Sequence, residues 1–143
     1  MSAGPRRNPP MRFELIDKVH EQSEDQIRAV KHVTAAEEYL GDHFPGFPIL
    51  PGVLMLESLV QAARKLLQGR ESDRLVLGEV KSLKYGAMVR PGERLEVEVT
   101  AIKRDDQGQW SCKGKGIVIR NDDSDRSEET AISGRFTMRP TRV

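Results

Sequence analysis

The stretch Gly52–Gln68 (GVLMLESLVQAARKLLQ) restricts the fold more than any other part of the chain. It has the length and residue types of a helix, and its first half is apolar on nearly every side. A helix without a polar face cannot lie on a protein surface, so other elements must surround it. Arg64, Lys65 and Gln68 enter only in the second half, so that end is expected to reach solvent. Pro45, Pro48 and Pro51 precede the helix three residues apart. Each fixes its own φ and biases the residue before it away from helix, so Asp42–Pro51 reads as a stiff loop leading into Gly52.

The remaining segments supply the surroundings. Phe13–Val19 and Gln26–Val33 mix apolar and polar residues at roughly period two, which predicts strands. Thr34 and Glu37 have capping-box spacing, so a short helix is expected from Thr34 and would end at Gly41. Leu95–Ala101 alternates cleanly, with Leu95, Val97, Val99 and Ala101 on one face and Glu96, Glu98 and Thr100 on the other. Asp105–Gly108 is a hairpin signal, Pro91-Gly92 marks another turn, and strands are predicted at Trp110–Arg120 and Thr130–Met138. Gly114, Gly116 and Gly134 within them suggest bends or close backbone approach. Two strands, a buried helix and about four more strands make an α+β architecture, a curved antiparallel sheet wrapped around one long central helix.

With 143 residues the chain fits one domain. Residues 1–10 (MSAGPRRNPP) have no periodic apolar pattern and read as a disordered tail, which leaves 11–143 as the domain. Asn121–Glu129 (NDDSDRSEE) reads as a solvated acidic loop. The 23 basic and 22 acidic residues leave a net charge of +1, so no global field favours nucleic acid or membrane. A single cysteine, Cys112, cannot form an internal disulfide and is expected as a small core residue. Without a signal-like segment or a long apolar run, the protein is expected in the cytoplasm.

Chemistry concentrates in Asp42–Gln61 (DHFPGFPILPGVLMLESLVQ). His43 stands in the stiff loop and can exchange a proton near neutral pH. The plainer alternative is a histidine that caps the loop. Glu57 lies in the most apolar part of the helix, where an unpaired carboxylate would cost several kcal/mol. It must be paired or protonated, and burial would push it toward the range of a general acid. Gln61 follows one turn later and can hold it; a purely structural Glu–Gln link is the competing reading. The amides of Gly52 and Val53 open the helix, lack intrahelical partners and can bind an oxygen that becomes negative. A metal is not expected: His43 with Asp42 gives at most two ligands, and His20 and His32 sit where a histidine faces solvent.

The run His43-Phe-Pro-Gly-x-Pro-x-x-Pro-Gly-Val-Leu-x-x-Glu57-x-x-x-Gln61 resembles the signature of bacterial 3-hydroxyacyl-acyl-carrier-protein dehydratases. The likeness extends more loosely over Phe13 to Met138. It includes Phe13–Val19 and Lys84-Tyr85 followed by Arg90-Pro91-Gly92-Glu93. The resemblance implies a hot-dog fold and a dimer, often assembled into a hexamer, with the histidine and the acid of each site on different subunits. It implies His43 and Glu57 as the catalytic pair, Gln61 as the residue that orients the acid, and Gly52 as the amide that holds the thioester carbonyl. The implied substrate is a 3-hydroxyacyl chain on the phosphopantetheine of acyl carrier protein, with no metal or redox cofactor. Such carriers are acidic, so Arg64, Lys65, Lys81, Lys84 and Arg90 are candidates for a local docking patch.

The sequence also departs from the family pattern. Asp42 stands where members usually have glycine. Asn8-Pro-Pro-Met11 replaces a His-Arg-Tyr-Pro stretch, and Gly86-Ala87-Met88 replaces a basic, proline-containing one. Two other functions therefore stay open: a hot-dog thioesterase, which would generally lack the histidine loop, and a catalytically weak paralogue that binds acyl chains or carriers.

Overall fold

The computed structural model describes residues 14–34, 49–71, 74–120 and 128–141. Strand β1 spans Lys18–Gln22, β2 Gln26–His32, helix α1 Gly52–Leu66, β3 Leu75–Tyr85, β4 Arg94–Arg104, β5 Trp110–Ile119 and β6 Glu129–Pro140. The strands form one antiparallel sheet in the order β1-β2-β4-β5-β6-β3. The helix packs on one face of it, against β2 through β6. This is the wrapped-helix α+β architecture that the sequence calls for.

The alternation in β4 sets the two faces. Leu95, Val97, Val99 and Ala101 are buried under the helix, while Glu96, Glu98 and Thr100 point outward. On β5 the inward positions include Cys112, Gly114 and Gly116. A Cβ on Gly114 would come within 3.2 Å of the Leu59 side chain, so the missing side chain is what lets the helix approach the sheet. Gly108 closes the β4–β5 hairpin at φ +82, a left-handed conformation that glycine adopts without strain.

Three expectations change. The first strand begins at Lys18, not Phe13. Residues 14–17 are irregular, with Leu15 and Ile16 both buried, and β1 itself is exposed along its whole length. The helix stops at Leu66, two residues short of the expected Gln68, and the chain turns through Gly69 at φ +84. The third concerns burial. Met55, Ser58, Leu59, Val60, Ala62, Ala63 and Leu66 are buried against the sheet, but Leu54, Leu56 and Glu57 are half-buried and Val53 is 68% exposed. One sheet covers one side of a cylinder, so among the described residues the helix keeps a side that is only partly buried.

The tail 1–10, the short helix expected after Thr34, and most of the acidic run Asn121–Glu129 fall outside the described residues. No helix among the described residues is long and apolar enough to cross a membrane.

Candidate active site

Pro51 is the N-cap of α1 and offers no side-chain cap; the first turn carries no acidic residue. Its carbonyl accepts from Leu54 and Met55, at 3.0 and 3.2 Å. The N–H groups of Gly52 and Val53 precede these and have no partner among the described residues. They point along the helix axis toward its N-terminus, at the positive end of its dipole. The ring of Tyr85, from the end of β3, lies against Gly52: a Cβ there would sit 2.8 Å from Tyr85 Cε1. Any side chain at residue 52 would therefore have to displace that ring. Tyr85 itself is 52% exposed. Sequence reasoning gave it no role, because nothing local in the sequence shows that the end of β3 meets the start of the helix.

Glu57 follows five residues after Gly52, about 7.5 Å along the helix axis, and helical side chains lean back toward the N-terminus. Its Oε2 accepts from Gln61 Nε2 at 3.1 Å, so the two side chains meet as their spacing requires. Gln61 Oε1 in turn accepts from the backbone N–H of Leu15 at 2.7 Å. Leu15 is 1% exposed, in the extended segment just before β1. The carboxylate is therefore held through an amide that the N-terminal segment orients. With its oxygen committed to Leu15, the Gln61 amide presents its NH2 to Glu57 Oε2. No sequence signal pointed to Leu15, since a backbone donor leaves no residue-type signature.

His43 and Asp42 lie outside the described residues. No group of three or more His, Cys, Asp or Glu residues able to hold a metal occurs among the described residues. Cys112 is buried and its thiol is pushed up to about 12 by desolvation, so it stays protonated. His20 and His32 face solvent as expected.

The five cationic candidates do not form one patch. Arg64 is half-buried and its Nε donates to the Leu75 carbonyl at 3.1 Å, fastening the helix to the start of β3. Lys65 is half-buried at the C-terminal end of the helix, away from Gly52. Arg90 lies in the turn before β4, where its N–H donates to Glu93 Oε1 at 2.8 Å. Lys81 and Lys84 are exposed on β3, opposite Arg135 and Ser133 of β6, on the sheet face away from the helix.

The ApeI-like family model, described as ApeI dehydratase, matches residues 19–121. The FabZ 3-hydroxyacyl-[acyl-carrier-protein] dehydratase of Lactobacillus helveticus is 40% identical over 116 residues, covering 74% of this chain and 76% of the relative. The chain belongs to the ApeI- and FabZ-like dehydratase family. Among solved structures, the ApeI:P dehydratase heterocomplex of Xenorhabdus doucetiae matches with a TM-score of 0.61 at 15% identity, over 86% of this chain and 95% of that one. An acyl-CoA hydrolase from Bacillus cereus matches with a TM-score of 0.65 at 14% identity, over 83% of this chain and 67% of that one. These similarities establish the hot-dog fold. Because a dehydratase and a hydrolase share it, the fold leaves the reaction to the site and to the sequence relationship.

Proposed function

We propose that this dehydratase eliminates water from 3-hydroxyacyl thioesters carried on acyl carrier protein, giving trans-2-enoyl thioesters. The observation that carries the reading is the Leu15–Gln61–Glu57 relay, which holds a half-buried acid on an apolar helix whose first amides have no partner among the described residues. Membership of the family gives the arrangement its reaction class.

In the proposed reaction His43, assigned from the motif, removes the proton α to the thioester carbonyl. The electron pair moves toward the carbonyl oxygen, where the Gly52 amide, with Val53 beside it, stabilises the growing charge. Glu57 gives its proton to the 3-hydroxyl as the C–O bond breaks, and water leaves. Gln61 is a positioning residue. It fixes the carboxylate through Nε2 and touches neither reacting carbon. The chemistry is acid–base throughout and calls for no metal or redox cofactor.

The active unit in this reading is a homodimer. The open side of α1 carries Val53, Leu54 and Leu56, and β3 is a long edge strand whose outer half is exposed. An edge strand beside a partly exposed apolar helix face is, among the described residues, a pairing surface. A second copy seated there would complete the burial that the helix sequence demands and could bring the His43 loop of one subunit to Glu57 of the other. A trimer of such dimers is the hexamer found in the family. The site works in the cytoplasm, where carrier-bound acyl chains are processed.

Purified protein with 3-hydroxybutyryl-carrier tests the reading. Enoyl absorbance should grow, and His43→Ala and Glu57→Gln should each slow it by about a hundredfold or more, the usual contribution of a general acid or base. Rates within a few-fold of wild type for both variants would remove the pair from the mechanism.

A further inference from the structure

The outer face of the sheet, turned away from the helix, carries a basic groove of about 370 Å³. Lys84, Lys113, Lys115 and Arg135 line it, with the hydroxyls of Thr100 and Ser133. Lys113 stands between Thr100 and Arg135, and Ser133 stands between Lys115 and Lys84. Strands about 4.8 Å apart, with same-face residues about 6.7 Å apart, put the four Cα atoms within roughly 12 Å. Like charges opposite each other across a ladder are destabilising. Yet these four cations form no ion pair among the described residues, whereas Lys81 is taken by Glu79 at 3.3 Å. Glu98 also lines the groove, opposite Lys115, but its ion pair is with Arg28 at 3.8 Å. The backbone at the rim is strained toward the same end. β3 is bulged between Lys81 and Lys84, and within the bulge Ser82, a lining residue, has φ +53. A serine adopts this left-handed conformation only at a cost, and such outliers gather at functional sites. Lys81 faces Arg135, so an unbulged strand would set Lys84 opposite the buried Ile132, on the helix side. The extra residue sets it opposite Ser133 and aims it into the groove.

We infer that this groove binds the polyphosphate chain of a small anion of the nucleoside triphosphate class. Linked phosphates place several negative charges within the span of the four cations, where charge-assisted hydrogen bonds are strong. The hydroxyls of Ser82 and Ser133 can donate to the remaining oxygens. An extended polyanion, such as a membrane surface or a nucleic acid, fits this face poorly. On the β4 flank Glu21, Glu96 and Glu98 gather around the single cation Arg28, at 3.7–3.9 Å, and would repel it. Pairing β3 with a second subunit would extend the sheet in its own plane and leave the outer face open. The groove lies apart from Gly52 and Glu57, so the inference goes beyond the dehydration reading and does not depend on it.

Calorimetric titration of the full-length protein with inorganic triphosphate and with metal-free ATP tests it. At least one should bind with a Kd below about 1 mM at physiological ionic strength. Tighter binding of ATP assigns the site to a nucleotide, and tighter binding of triphosphate to the free chain. Orthophosphate, which reaches only part of the cluster, should bind at least about tenfold more weakly than the tighter of the two. Lys113→Gln/Lys115→Gln/Arg135→Gln should weaken binding at least about tenfold, while Lys65→Gln, on the helix, should keep the wild-type affinity. Without ligand, the triple variant should melt no lower than wild type, because it removes like-charge repulsion. With ligand about a hundredfold above the wild-type Kd, wild type should gain about 10 °C and the triple variant about half of that or less. Failure of both anions to bind below about 1 mM overturns the inference, and so does an unchanged affinity in the triple variant. A ligand-free melt below wild type overturns it as well, because the cations would then hold the sheet together. Binding of phosphatidylserine vesicles or duplex DNA, with neither small anion bound, would assign the face to an extended polyanion and also overturn it.

Discussion

Replacing Gln61 with leucine separates what the relay contributes to stability from what it contributes to catalysis. Leucine keeps most of the volume, so little space opens for water, but it removes both hydrogen bonds. The Leu15 N–H, on a residue 1% exposed, loses the acceptor it holds at 2.7 Å. An unsatisfied buried donor costs about 1–3 kcal/mol. The bond to Glu57 is worth about 1 kcal/mol, because that carboxylate is only half-buried and solvent screens it. Together these give about 2–4 kcal/mol. At about 4 °C per kcal/mol for a domain of this size, the melting temperature should fall by about 8–16 °C. Gln61→Glu gives the complementary perturbation. It keeps an acceptor for Leu15 but replaces the Nε2 donor, 3.1 Å from Glu57, with a like-charged oxygen. Most of the stability should survive, while kcat falls about tenfold or more with KM nearly unchanged and the pH–rate profile moves. Differential scanning calorimetry and enoyl absorbance read the two quantities. A melting temperature within about 2 °C of wild type for Gln61→Leu, or an unchanged pH–rate profile for Gln61→Glu, would refute the relay.

The remaining expectations are shorter. Glu71 accepts from Arg104 and from Trp110 Nε1, which hold its carboxyl below the ordinary 4.5. Its stabilisation is present above the ordinary value and disappears as pH falls through the depressed one, so Glu71→Gln should melt earlier than wild type at pH 7. The gap should close in acid, and a pH-independent gap in thermal melts would contradict this. Gly116→Ala places a Cβ 2.9 Å from Ile132 Cγ2 and Leu95 Cδ1, and denaturant titration should show a loss of about 1–3 kcal/mol. Gly52→Ala pushes the Tyr85 ring, which is exposed enough to move, so dehydration should drop about tenfold with little change in melting temperature, and Tyr85→Ala should relieve the defect. Sedimentation should give a homodimer. Mixing His43→Ala with Glu57→Gln under subunit exchange should restore part of the activity that each lacks; no recovery despite proven exchange would place His43 and Glu57 of each site on one subunit.

Patterns that depend on a local period were legible in the sequence. The alternation of Leu95–Ala101, the Asp105–Gly108 hairpin and the start of the helix at Gly52 all follow from spacing and turn chemistry, and all stand where expected. The Glu57–Gln61 contact was also readable, because residues four apart on a helix meet. What escaped depends on pairing between distant segments. Leu15 reaches Gln61 across 46 positions of chain, and Tyr85 reaches Gly52 across the sheet edge. The basic groove needs the β5–β6 register to place Lys113 opposite Arg135, while each residue taken alone reads as an ordinary solvated charge. The first half of the helix reads as apolar on nearly every side, yet Val53 is exposed and Leu54 and Leu56 are half-buried among the described residues.

Mass analysis of the carrier thioester after reaction tests the central claim most directly. Wild type incubated with 3-hydroxyacyl-carrier should leave the acyl chain on its carrier, lighter by one water, and Glu57→Gln should leave it unchanged over the same interval. Free carrier and released acid would make the protein a thioesterase. An unaltered substrate bound by wild type would make it a binding paralogue, and either result would contradict the account.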